Sequence, residues 1–190
     1  MKCIRVLILS SLIFIGILSP VHNSTAAPAD AYFFSVDTSY AGVSSTEDFT
    51  NGAQDNGTGF TIGYKFTEYS LELSYRKYDY TNTHFREEDN TDVVDYIEDT
   101  YVSFGIRGQH NEFFESKFGF SLNNVVGTFV GTDGSEFYSP VDGFFFGVYF
   151  GTGPKITFND DLDVFFDFTL RRISRDIFTV GYDLGLRYYF

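Results

Sequence analysis

The chain has 190 residues, a length that favours one domain. Phe (24) and Tyr (14) supply one residue in five, which excludes a disordered chain, and 18 Gly without a three-residue period exclude collagen. The formal charge of −13 is the wrong sign for a nucleic-acid partner, and the one Cys, Cys3, permits neither an intramolecular disulfide nor a Cys-based metal site.

The first predicted element is an address. Lys2 and Arg5 flank the start of an apolar run over 6–18, shorter than the roughly 20 residues of a membrane-spanning helix. The small residues Ser24, Thr25, Ala26, Ala27 and Ala29 follow, so 1–27 reads as a cleaved secretory signal peptide and 28–190 as the mature domain. Cys3 precedes the run and is therefore not the modified Cys of a lipoprotein. Removal of the leader leaves 11 Lys and Arg against 26 Asp and Glu, a net charge of −15.

Beyond the leader, helical periodicity is poor and apolar residues recur at every second position. Eight such segments follow one another. Tyr32, Phe34, Val36, Thr38 and Tyr40 alternate with Ser35, Asp37 and Ser39. Phe60, Ile62, Tyr64 and Phe66 alternate with Gly59, Thr61, Gly63 and Lys65. Tyr69, Leu71, Leu73 and Tyr75 are separated by Ser70, Glu72 and Ser74, with Arg76 next. Thr100, Val102, Phe104 and Ile106 are interleaved with Tyr101, Ser103, Gly105 and Arg107. Phe114, Ser116, Phe118, Phe120 and Leu122 enclose Glu115, Lys117, Gly119 and Ser121. Phe144, Phe146, Val148, Phe150 and Thr152 flank Phe145, Gly147, Tyr149 and Gly151. Leu162, Val164, Phe166, Phe168 and Leu170 enclose Asp163, Phe165, Asp167 and Thr169, with Arg171 next. Last come Phe178, Val180, Tyr182, Leu184, Leu186, Tyr188 and Phe190, spaced by Thr179, Gly181, Asp183, Gly185, Arg187 and Tyr189. Short polar links at 66–69, 108–112 and 159–161 alternate with mostly longer ones at 44–56, 79–95, 123–142 and 172–177. All short turns therefore fall at one end, together with both termini, and all long loops at the other.

A soluble barrel alternates too, so the polarity of the two faces decides between environments. Eight strands enclose an interior just wide enough to fill with side chains, and the Phe, Tyr and Leu set would overfill it. The other set, with Gly at 59, 63, 105, 119, 147, 151, 153, 181 and 185, suits a narrow bore. Turned outward, that set would expose Asp37, Lys65, Glu72, Arg76, Arg107, Glu115, Lys117, Asp167, Arg171, Asp183 and Arg187 to lipid. A Lys or Arg there costs about 2–4 kcal/mol at the midplane, so the set would cost on the order of tens of kcal/mol, more than such a fold's whole stability. The predicted class is all-β: an eight-stranded antiparallel up-and-down transmembrane β-barrel, apolar outside and charged inside. The eleven inward charges should pair across the bore as a structural ionic network, with a gated polar channel as the alternative. Tyr32, Tyr69 and Tyr188 near the short-turn end, and Tyr40 and Tyr75 near the long-loop end, are placed as two aromatic belts.

The mature chain resembles the small eight-stranded outer-membrane barrels of the OmpA-transmembrane, OmpX and opacity-protein type. The resemblance rests on the terminal Phe190 with Tyr188, Leu186, Leu184 and Tyr182 behind it on one face. The run 69–76 is similar to the family's third strand and 147–153 to its sixth; Trp, usual in the family's belts, is missing. The resemblance implies that Tyr182, Leu184, Leu186, Tyr188 and Phe190 form the signal read by the barrel-assembly machinery. It also implies export through the periplasm to a Gram-negative outer membrane, and life as a monomer among outer-membrane lipid and lipopolysaccharide.

Other candidate sites are weaker. Asp79, Glu87, Glu88, Asp89, Asp92, Asp95, Glu98 and Asp99 make the second long link acidic, with Arg86 as counter-charge. Such carboxylates suit Ca²⁺ or Mg²⁺ shared with lipopolysaccharide, but the spacing matches no EF-hand and a solvated, self-repelling loop is the simpler account. No metal and no cofactor is predicted. Lys77, just above Tyr75, is placed to meet lipid phosphate. A lipid hydrolase would need a base beside a nucleophile. After the leader only His84 and His110 remain; His84 is followed by Phe85 and Arg86, and His110 sits in a short turn. The expected function is that of a non-enzymatic outer-membrane barrel presenting extracellular loops for surface interaction or membrane integrity. The alternatives are a narrow porin-like channel for small solutes and a lipid-modifying hydrolase using His84.

Overall fold

A segment whose every second side chain is apolar, crossing a medium without water, must satisfy its backbone hydrogen bonds with neighbours on both sides, and a closed ring of strands is the way strands achieve this. The computed structural model describes residues 29–45, 54–86, 91–131, 134, 136–137, 142–174 and 177–190, so the predicted leader lies outside the described residues. The strands are β1 (Ala31–Ser45), β2 (Gln54–Lys65), β3 (Tyr69–Arg86), β4 (Thr91–Asn111), β5 (Phe114–Gly131), β6 (Glu136–Phe137), β7 (Gly143–Asn159), β8 (Leu162–Arg172) and β9 (Ile177–Tyr189). All pairings are antiparallel, and the two-residue β6 only extends the upper edge of β5. The other eight close a ring: β4 pairs both β3 and β5, and β9 pairs both β8 and β1, with Phe33 opposite Tyr189.

The register explains the glycines. One inward row runs Gly63, Glu72, Gly105, Gly119, Tyr149, Arg171 and Thr179 around consecutive strands. Large side chains thus lean over glycines. A Cβ at Gly105 would run into Tyr149 Oη, and one at Gly63 into the Phe33 ring. In a bore this narrow, each long side chain needs a neighbour without one.

Strand lengths depart from the sequence reading on one side. The link expected at 79–95 is largely strand, because β3 runs on to Arg86 and β4 starts at Thr91; likewise β5 continues to Gly131 through the link expected at 123–142. The outward positions turn polar there (Lys77, Asp79, Thr81, Glu98, Thr100), which ends the apolar alternation without ending the ladder. At about 3.3 Å per residue and about 45° tilt, the 11 residues of β8 climb about 26 Å, close to the apolar band of such barrels, and the 21 of β4 about 49 Å. The β3–β6 side therefore stands as a raised lip above the rest of the ring.

Candidate functional site: the ionic bore

The interior has three zones. At the short-turn end Ala31, Phe33 and Tyr189 form a small apolar cluster. At the long-loop end Ala41, Val43, Tyr78, Tyr80, Ile97, Tyr101, Val125 and Ile173 form a larger one, with Phe145 and Ile177 packed against it. Between them lies the charge. All eleven predicted inward residues are buried, and the structure adds three that the sequence reading left off its inward set: Asp99, Lys155 and Asp163. The buried set is then seven acids (Asp37, Glu72, Asp99, Glu115, Asp163, Asp167, Asp183) and seven bases (Lys65, Arg76, Arg107, Lys117, Lys155, Arg171, Arg187), a formally neutral bore.

The charges connect from end to end. Near the lower cluster the Tyr189 hydroxyl donates to Asp163 (2.8 Å), and Arg187 Nη1 donates to Tyr189 Oη (3.1 Å) and lies 3.2 Å from Glu115. Lys155 reaches the same Glu115 at 3.2 Å. Lys65 stands over the Tyr189 ring at 5.2 Å. Arg107 is the hub, 2.6 Å from Glu72, 3.3 Å from Glu115 and 2.9 Å from Asp167. Lys117 ties Asp167 (2.9 Å) to Asp183 (2.8 Å), and Arg76 ties Asp183 (2.9 Å) to Asp37 (2.7 Å). Above them Arg171 pairs with Asp99, donates to Asn123 Oδ1 (3.0 Å) and lies 3.9 Å over the Tyr101 ring. The guanidiniums are thus held by carboxylates and by aromatic faces together.

Little space is left. The void among Asp37, Glu72, Arg76, Arg107 and Lys117 is about 20 Å³, room for one water rather than a hydrated ion. The voids beside the two apolar clusters are about 10 Å³ each.

No protein-family model matches the chain, and no curated protein matches it. Solved structures do. Ail, the attachment invasion locus protein of Yersinia pestis, crystallised with the heparin analogue sucrose octasulfate, superposes with a TM-score of 0.57 at 12% identity, covering 86% of this chain and all of Ail. OprG from Pseudomonas aeruginosa gives 0.56 at 11% identity, over 87% of this chain and 98% of OprG. Neisserial surface protein A gives 0.53 at 16% identity, over 84% and 97%. The chain has the fold of the small eight-stranded outer-membrane β-barrels.

Tyr32, Tyr69, Tyr75 and Tyr188 are exposed on the outer face. Tyr40 is half-buried, stacked on Tyr182 at 5.6 Å and donating to Gln54. Tyr182, Leu184, Leu186, Tyr188 and Phe190 form one exposed outward row on β9 and the residue after it, and the Phe190 amide donates to Tyr32 O (2.9 Å). Lys77 does not stand alone at the membrane edge: Glu98 lies 2.6 Å and Asp79 3.4 Å away. Asp99, counted with the acidic link, is the buried partner of Arg171. Of that link, 87–89 and the side chains of Arg86, Asp92 and Asp95 lie outside the described residues, as does the His84 side chain. Among the described residues no group of three His, Cys, Asp or Glu is arranged to hold a metal ion. His110 Nε2 lies 2.8 Å from Ser116 Oγ, a pairing the sequence reading missed because five residues separate them across a turn.

Proposed function

We propose that this chain is an integral outer-membrane barrel, monomeric and non-enzymatic, that presents its raised lip and long loops outside the cell for surface contact or membrane integrity. On this reading its neighbours are outer-membrane lipid and lipopolysaccharide, and the barrel-assembly machinery reads the outward row of β9 and Phe190 during biogenesis. The observation that carries it is the sealed bore: charges neutralised in place, an apolar cluster at each end, and voids of water size. A channel would need a continuous polar path, and rebuilding one here would strand buried charges at a cost of about 3–5 kcal/mol for each broken pair. The test is current across planar bilayers containing the purified barrel. Negligible conductance is expected; a steady, well-resolved single-channel current would overturn the reading.

Hydrogen counting at the one described Ser–His contact supports the non-enzymatic part. Thr152 Oγ1 donates its single hydrogen to Glu115 O (3.0 Å). Ser116, 2.9 Å from Thr152 Oγ1, must then donate to it, which leaves His110 Nε2 as the donor to Ser116. A histidine that gives its proton to the serine is in the wrong tautomer to act as its base. The sulfated ligand of Ail does not transfer to this chain either. After residue 27 the chain carries 26 Asp and Glu against 11 Lys and Arg, and seven of those bases are buried in the bore beside carboxylates, a balance that repels sulfate.

A further inference from the structure

The outer wall is not uniform. At mid-height its large residues are roughly half exposed, as with Phe120 at 47% and Phe150 at 46%. At the long-loop end of β5 and β7, Phe144, Phe146 and Leu122 reach 85%, 65% and 64%. The register places Phe146 beside Leu122 and Phe144 beside Asn124 on one flank, with Val102 beside Leu122 and Thr100 beside Asn124 on the other. The two rings stand up as a wall next to the shorter Val102 and Thr100, and between them lies an open groove of about 520 Å³. Its order is amphiphilic: Val102 and Leu122 form an apolar floor, and Thr100 and Asn124 are the polar pair directly above it.

We propose that this groove holds one acyl chain of lipid A from the outer leaflet, laid along Val102 and Leu122 against the Phe144 and Phe146 rings, with its ester or amide linkage at the level of Thr100 and Asn124. The inference rests on the orientation given under Proposed function, with the long-loop end outside. Two observations select the occupant. The outward residues that line the groove, Thr100, Val102, Leu122, Asn124, Phe144 and Phe146, carry no charge and four of them are apolar, so it suits hydrocarbon with one polar linkage above. It lies at the long-loop end, where the facing leaflet is the outer one. A chain seated between ring wall and floor makes dispersion contacts on two sides, where a chain on the flat wall has them on one.

The test is native mass spectrometry of the purified full chain released from detergent after incubation with lipid A, or with phosphatidylethanolamine of equal chain length. The comparison covers Val102→Trp, which fills the groove, Phe144→Ala, which removes its wall, and Val36→Trp on β1, a distant part of the outer face. A heat-dependent gel shift confirms that each variant is folded. Wild type and Val36→Trp should retain one lipid A, and the two groove variants at least five-fold less. Equal retention by all four proteins overturns the site, and equal retention of the two lipids by wild type overturns the assignment to lipid A. Neither result bears on conductance, so a failure here is distinguishable from failure of the sealed-barrel reading.

Discussion

Arg107 shows how much one buried side chain carries. Its guanidinium neutralises Glu72, Glu115 and Asp167 together, each from a different strand. Arg107→Met leaves three carboxylates facing one another in a space too small to hydrate them, and should destabilise the barrel by about 3–5 kcal/mol. The measurement is the urea midpoint of the heat-dependent gel shift, and an unchanged midpoint would remove the network's structural role. Arg107→Lys should recover only part of the loss, because one ammonium cannot reproduce the planar fork. Residues such as Arg107 were legible in the sequence because strand parity alone sends every second residue inward. Asp99 was not, since it sits where outward neighbours turn polar and its surroundings read as an acidic loop. Lys155 lies beyond the point where outward Pro154 interrupts the apolar alternation. The aromatic pairs Phe33–Phe34, Phe165–Phe166 and Tyr188–Tyr189 were legible on the same ground: hydrophobicity does not choose which member of a pair faces lipid, but strand parity does, and Phe34, Phe166 and Tyr188 are the exposed members.

At the level of the strand, complementarity between glycine and ring sets the bore. Gly105→Ala should destabilise the fold by about 1–3 kcal/mol, as overpacking does, because its Cβ meets Tyr149 Oη and Phe118 O. Adding Tyr149→Phe removes the first obstacle and should restore part of the midpoint; a strictly additive double variant would mean the two positions do not share that space. The outward row of β9 makes a separate prediction. Deleting Phe190, whose ring is exposed and whose amide closes onto Tyr32, should lower the yield of folded barrel in cells, read by fractionation and gel shift. Wild-type yield would count against a recognition role for that row. The number, order and facing of the eight ring strands could be read from period-two alternation. The upper ends of β3, β4 and β5 could not, because a ladder above the membrane needs no apolar side chains to persist.

For the whole molecule, the governing fact is the exchange of inside and outside relative to a soluble protein. Leu184 lies midway along the outward row of β9, so Leu184→Arg should cost about 2–4 kcal/mol, whereas Ser44→Arg near the upper rim should cost about 0–1 kcal/mol. Urea midpoints of the two variants in the same lipid check the depth dependence, and equal losses would contradict it. The same ring has a consequence for its birth. Its closing ladder joins β1 to β9, the first and last strands of the ring, so no hydrogen-bonded circle exists until both are in place. Contacts this distant in sequence form slowly, and until then a polypeptide one-fifth aromatic is open to self-association. Its dwell time as an unclosed chain, rather than the strength of the finished ring, is what sets its exposure to that fate.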